Sequence, residues 1–167
     1  VMKYIGIDLG SSFIKAVFLD LDEGKVIAYS KHPTPQKEKN RNVSVFEIQA
    51  SHIVGTVQTL IDEFTTTYKD VEGVILSTQM HGFVYSVPNR EDRYVSWQDM
   101  RCLDIMPKSD CSYLEWLQKE ISPKQMERNG VYLKPSLGLC NLYTLLEEED
   151  EIPGDGTLYT LGSYIIH

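Results

Sequence analysis

Asp8 ends a short apolar run, Tyr4-Ile5-Gly6-Ile7, and is followed after Leu9 by Gly10-Ser11-Ser12. A glycine and two small hydroxyl residues at a chain reversal leave backbone N–H groups free to approach a phosphate. A carboxylate beside them suits a hydrated magnesium ion, which keeps most of its waters and takes few protein ligands. Asp8 is thus the candidate metal ligand, and Asp8, Gly10, Ser11 and Ser12 form the candidate phosphate site. The same residues would equally make an ordinary hairpin turn. Two further clusters could do chemistry. Gln79-Met80-His81-Gly82 sets polar side chains and a glycine after the apolar run Val71–Ser77. Trp97, Asp99 and Arg101 would share one face of an extended segment, where they could bind a polyol by stacking and hydrogen bonding. The alternative is a surface Asp99–Arg101 pair with Trp97 in the core.

These residues need elements to hold them. Tyr4 to Asp20 reads as two strands joined by the Gly10–Ser12 turn, and Lys25–Ser30 as a third strand after Asp22-Glu23-Gly24, giving an antiparallel meander. His32–Arg41 is a polar surface loop. Ser44-Val45-Phe46-Glu47 has capping-box spacing, and Phe46, Ala50, Ile53, Val54, Val57, Leu60, Ile61 and Phe64 recur at helical spacing to about Tyr68. His52 lies beside that stripe as a structural residue. Val71–Ser77 then predicts a strand parallel to the first, and Phe83–Val87 another strand. Ligands of open α/β sheets bind outside the carboxyl ends of strands, so Asp8 and Gln79–Gly82 would share that edge.

Beyond Pro107 the pattern turns helical. Ser109 or Asp110 would cap a segment carrying Tyr113, Leu114, Leu117 and Ile121. Ser122-Pro123-Lys124-Gln125 caps a short helix ended by Asn129-Gly130. Ser136 precedes a third helix carrying Leu139, Leu142, Tyr143, Leu145 and Leu146. Glu147–Glu151 is expected to be solvated loop, broken by Pro153-Gly154. Thr157–Leu161 reads as a strand, with Ser163 capping an element that continues through Tyr164, Ile165 and Ile166. The chain stops at His167 in mid-pattern, so a fragment of a longer protein is expected.

The chain has 167 residues, 42% hydrophobic and 24% charged, which suits one domain or one and part of another. A net charge of −8 argues against nucleic-acid partners and for a small-molecule ligand. Three cysteines without metal-ligand spacing point to a reducing, cytoplasmic compartment. No apolar run approaches the roughly 20 residues of a membrane span.

Asp8-Leu9-Gly10-Ser11-Ser12, Gln79-Met80-His81-Gly82 and Trp97-Gln98-Asp99-Met100-Arg101, in this order, resemble the N-terminal domain of the FGGY-family carbohydrate kinases. The resemblance covers nearly the whole chain, residues 1–167, with the C-terminal domain absent. It implies an α/β, ribonuclease-H-like (actin-like ATPase) fold, with a mixed sheet, an N-terminal meander and flanking helices. It implies ATP-dependent phosphorylation of a ketose or related polyol, with ATP and Mg2+ as cofactors. Asp8, Gly10, Ser11 and Ser12 would then face the phosphates, with Asp8 positioning the metal. Gln79, Met80, His81 and Gly82 would form the sugar loop, His81 bonding sugar hydroxyls, and Trp97, Asp99 and Arg101 would lie near the sugar. The sugar loop has the xylulose-kinase-like form, whereas Trp97-Gln98-Asp99-Met100-Arg101-Cys102 also resembles sedoheptulose kinases. A homodimer is compatible with the family.

Two departures stand against the family pattern. The helix with Cys140-Asn141-Leu142 lacks the usual lysine, and the catalytic aspartate is expected beyond His167. No residue of this chain is therefore assigned as the base, and the fragment alone is expected to be inactive. Other readings are an actin-like ATPase or phosphotransferase of another kind, and a non-catalytic sugar-binding or regulatory relative.

Overall fold

The computed structural model describes residues 2–40, 42–148 and 155–167. Strands β1 (Lys3–Leu9) and β2 (Phe13–Asp20) pair antiparallel from Lys3↔Asp20 to Leu9↔Ile14, and β3 (Lys25–Pro33) continues the meander. Helix α1 (Ala50–Thr67) then carries the chain back to β5 (Gly73–Thr78), which pairs parallel to β1. The mixed sheet has the order β3-β2-β1-β5, as the sequence predicts. Alternation sends Ile5, Ile7, Leu9, Ile14, Ala16 and Phe18 to one face, where they are buried with Ile53, Val57, Leu60 and Phe64 of α1. Phe18 stacks on Tyr68 with ring centroids 4.3 Å apart. Full burial of each such large side chain contributes roughly 1.5–3 kcal/mol.

A second sheet was not evident in the sequence. It joins β4 (Glu47–Gln49), β6 (Phe83–Ser86), β7 (Arg93–Val95) and β8 (Thr157–Thr160) in the order β4-β7-β6-β8, all antiparallel. Its Ile48, Val84 and Tyr94 enter the same core as the first sheet and α1. The capping box expected at Ser44–Glu47 is not formed. α1 starts at Ala50 behind Gln49, which makes no side-chain cap bond. Ser44 bonds Asn42 and Asp104 instead, and the Glu47 carboxylate is taken by Arg93 and Arg101. A cap is worth about 1 kcal/mol. A strand ladder and a pair of charge-assisted bonds outweigh it.

Helices α2 (Tyr113–Glu120), α3 (Pro123–Asn129) and α4 (Gly138–Glu148) build a separate core of Cys102, Tyr113, Leu114, Leu117, Leu133 and Cys140. The cap of α2 is Ser112 with Glu115, not Ser109 or Asp110; the Ser109 hydroxyl contacts the Cys111 thiol. α3 starts and ends as its sequence predicts, with a Ser122–Gln125 box and Gly130 left-handed at φ 64°. α4 buries Cys140, Asn141 and Thr144 and leaves Leu139 52% exposed, so its inward face is not the leucine stripe. Thr160, rather than Ser163, caps α5 (Leu161–Ile165) by accepting from the Ser163 N–H. Glu147 and Glu148 are the last residues of α4, not loop, while residues 149–151 and Pro153-Gly154 lie outside the described residues.

One buried cluster of charge joins these parts. Asp99 Oδ1 accepts from the Arg101 backbone N–H at 3.0 Å and from Nε at 2.9 Å. Its Oδ2 accepts from Arg101 Nη2 at 2.8 Å and from the Phe46 N–H at 2.7 Å. Arg101 Nη2 also bonds Glu47, whose other oxygen accepts from Arg93 at 2.9 Å. Asn141 of α4 donates to the Asp99 carbonyl at 2.8 Å. Burial alone would push the Arg101 pKa down; the Asp99 and Glu47 bonds more than reverse this and raise it. A smaller device ties the edge strand β3 to α1, where Glu63 accepts from Ser30 and bonds His32 Nε2, both at 2.6 Å.

These bonds have two measurable consequences. Arg101→Met leaves the buried Asp99 carboxylate without its cation and Glu47 with Arg93 alone, and should cost about 3–5 kcal/mol, read as a lower urea midpoint; a loss under about 1 kcal/mol would contradict the cluster's role. The Ser30 hydrogen bond, then His32, hold the Glu63 pKa below its ordinary 4.5. Because the folded value is depressed, this stabilisation is present above the unfolded pKa and lost as pH falls through the folded one. NMR titration should place the Glu63 midpoint below 4.5, and Ser30→Ala should move it up.

Candidate functional site

The β1–β2 turn is held by its own backbone. Gly10 N–H donates to the Phe13 carbonyl at 3.1 Å, and Thr34 clasps the turn through the Gly10 carbonyl at 2.8 Å and the Ser12 carbonyl at 3.0 Å. A Cβ at Gly10 would lie 2.8 Å from the Phe13 oxygen, so only glycine fits without moving backbone. Ser11 and Ser12 are exposed, and among the described residues their N–H groups donate to no protein acceptor. Donors without a protein acceptor on exposed residues are what an anion site requires. Asp8 is exposed on the sheet face away from α1, paired in register with Lys15 of β2 and Ser77 of β5. Asp8, Lys15 and Ser77 border a concavity of about 330 Å3 that Val17, Tyr29 and Ile75 also line. Lys15 thus sets a cation opposite the candidate metal ligand.

The parallel register Leu9↔Thr78 ends β1 and β5 side by side. It brings the Gly10–Ser12 turn and the Gln79–Gly82 loop to one edge of the sheet. In that loop Met80 is 75% exposed, and His81 is exposed at φ 68°, a left-handed conformation uncommon for a side-chain-bearing residue. Gln79 Oε1 is buried without a hydrogen-bond partner. Gly82 rests on Tyr94, whose hydroxyl occupies the space where a Gly82 Cβ would be. Tyr94 is fully buried, and desolvation raises its pKa against the opposing influence of Ser96. Gly138, the first residue of α4, packs so closely that a Cβ there would come 2.5 Å from the His81 carbonyl oxygen. Sequence reasoning missed Tyr94 and Gly138. Neither carries a local signal, because both act through long-range contact.

The third cluster is not extended, and the structure does not bring its trio to one face. Asp99 is 0% and Arg101 2% exposed, with their charged groups committed to protein partners, while Trp97 is 37% exposed. The pair is therefore internal and the tryptophan at the surface, the reverse of the surface-pair alternative. Thiol chemistry finds no support at Cys102 and Cys140, since burial pushes Cys102 up to about 12 and Cys140 up as well. Among the described residues no group of three His, Cys, Asp or Glu side chains could hold a metal by itself.

Comparison with known proteins gives a consistent picture. The profile of the FGGY family of carbohydrate kinases, N-terminal domain, matches residues 3–162. A xylulose kinase of Bacillus subtilis is 26% identical over 159 residues, covering 80% of this chain and 32% of that protein. A xylulose kinase of Lactobacillus acidophilus superposes with a TM-score of 0.81 at 21% identity, covering 99% of this chain and 33% of that one. A glycerol kinase of Plasmodium falciparum superposes with a TM-score of 0.71 at 17% identity, covering 98% and 33%. The chain thus spans about a third of the length of these relatives. With the mixed sheet, the glycine turn and the loop at one edge, and a family match over 3–162, this chain belongs to the FGGY family of carbohydrate kinases as its N-terminal domain.

Proposed function

We propose that the natural full-length protein transfers a phosphoryl group from ATP to a hydroxyl of a ketose or related polyol. This chain would supply the phosphate turn and the sugar loop. The observation that carries this reading is the β1–β5 register, which ends both segments at one sheet edge. Support for the phosphate role comes from the unbonded N–H groups of Ser11 and Ser12, and from Gly10, whose missing Cβ lets the turn close. The exposed Asp8 carboxylate with the Ser77 hydroxyl beside it fits a magnesium ion that keeps most of its waters. Magnesium bound there would supply charge neutralisation for the phosphates.

On the acceptor side, Met80 and His81 offer exposed surface on the loop, His81 as the group that hydrogen-bonds sugar hydroxyls and Trp97 as a stacking face. Gln79, whose Oε1 is buried and unpaired, would shape the loop from within. Asp99 and Arg101 would serve by holding the Trp97 segment in place, since their own polar atoms are already bonded. The proton of the attacking hydroxyl goes to an aspartate outside this chain. Catalysis of this type rests on positioning and electrostatics. The free thiols of Cys102, Cys111 and Cys140 suit the cytoplasm.

Coupled ADP release by the full-length protein, against a panel of ketoses and polyols, tests the reading. One sugar should drive turnover, and Asp8→Ala should lower kcat by about 100-fold or more. Turnover with no sugar, or an unaffected Asp8→Ala protein, would refute it. The 167-residue chain alone should release no ADP in the same assay.

A further inference from the structure

We propose that Gly138 and Tyr94 are positioning residues for sugar recognition, fixing the Gln79–Gly82 loop by two backbone close approaches at successive residues. This rests on the kinase reading. It adds two residues that are distant from the loop in sequence and carry no chemistry of their own.

The geometry is specific. At Gly82 the backbone lies on the Tyr94 ring, whose hydroxyl and ring carbons fill the place of a side chain. At the preceding residue the His81 carbonyl oxygen abuts the α-carbon of Gly138, where a Cβ would stand 2.5 Å away. Real Cβ atoms do not approach a backbone oxygen so closely, so any side chain at 138 must displace the His81 peptide. His81 is also held at φ 68°, where a histidine stays only if its surroundings over-determine it. Those surroundings are Tyr94 beneath Gly82 and α4 against His81. α4 is itself anchored, because Asn141 donates to the Asp99 carbonyl at 2.8 Å and to the Pro135 carbonyl at 3.2 Å. The position of the exposed His81 and Met80 side chains is therefore set from the protein side by α4 and β7.

A merely structural role for Gly138 predicts something different. Gly138 has no positive φ and opens a helix, so Ala there incurs no backbone strain and improves helix propensity. On packing grounds alone, outside the loop contact, Gly138→Ala should be neutral or stabilising. The clamp predicts a loss of sugar recognition that is selective over ATP, with a stability cost from the displaced His81 peptide.

Steady-state kinetics of the full-length protein with its sugar and ATP separate the two. Gly138→Ala should raise the sugar KM about 10-fold or more and leave the ATP KM within about two-fold, with the Tm lowered by the displaced His81 peptide but the protein still folded. In a His81→Ala background the same substitution should add little, because its effect passes through His81. Should Gly138→Ala fail to fold, Tyr94→Phe offers a second route. It removes the hydroxyl beneath Gly82 without leaving a buried polar atom unpaired, and should raise the sugar KM at undiminished stability. An unchanged sugar KM in the folded variant, equal rises in both KM values, or full additivity with His81→Ala would overturn the clamp alone. A wild-type protein without sugar-dependent turnover would overturn the kinase reading, and the clamp's function with it.

Discussion

A carboxylate and a guanidinium taken out of water must be bonded on every side, and the Asp99–Arg101 pair imposes that condition on this structure. Arg101 has more donors than Asp99 can accept, and it recruits Glu47. Holding Glu47 in reach makes residues 47–49 a strand rather than the first turn of α1. The second oxygen of Asp99 takes the Phe46 N–H, which fixes the segment entering that strand. The Asp99 carbonyl takes Asn141, which docks α4 and with it the helical core. The first residue of α4 then meets the His81 carbonyl. A buried charge near the middle of the chain is thereby linked, contact by contact, to a loop at the sheet edge.

The first sheet does a simpler job. Its meander gives a tight turn with exposed serines, and its one parallel strand brings a second segment to the same edge. A parallel strand needs a crossover, and α1 supplies it while burying the inner face. The outer face stays open in this chain, with Tyr29 56% and Ile75 51% exposed beside Asp8 and Lys15. Its apolar floor and polar rim are consistent with a domain that works against other surfaces.

How much the sequence disclosed depends on the range of the interactions. The Gly10–Ser12 turn, the Ser122–Gln125 box and the Gly130 stop are local, decided by residues within four positions, and were legible. The β1–β5 pairing was legible because the helix between them forces a parallel return. Ser44–Glu47 misled because its capping spacing is a weak local signal, overruled by arginines about 50 residues away. α4 misled for a related reason. Its leucine stripe suggested the inward face, but the buried site needed Asn141 to satisfy Asp99 and left Leu139 outside. The edge location of Asp8 and the Gln79–Gly82 loop could be read in advance. The burial of Asp99 and Arg101 could not, because an Asp-x-Arg spacing is the same on a surface and in a core.

The central claim is that one sheet edge carries both the phosphate turn and the acceptor loop. A crystal structure of the full-length protein with a ketose and a non-hydrolysable ATP analogue measures this directly. The account predicts the terminal phosphate at the Ser11 and Ser12 N–H groups and a sugar hydroxyl within hydrogen-bond distance of His81. A sugar bound away from residues 79–82, or phosphates away from the turn, would contradict it.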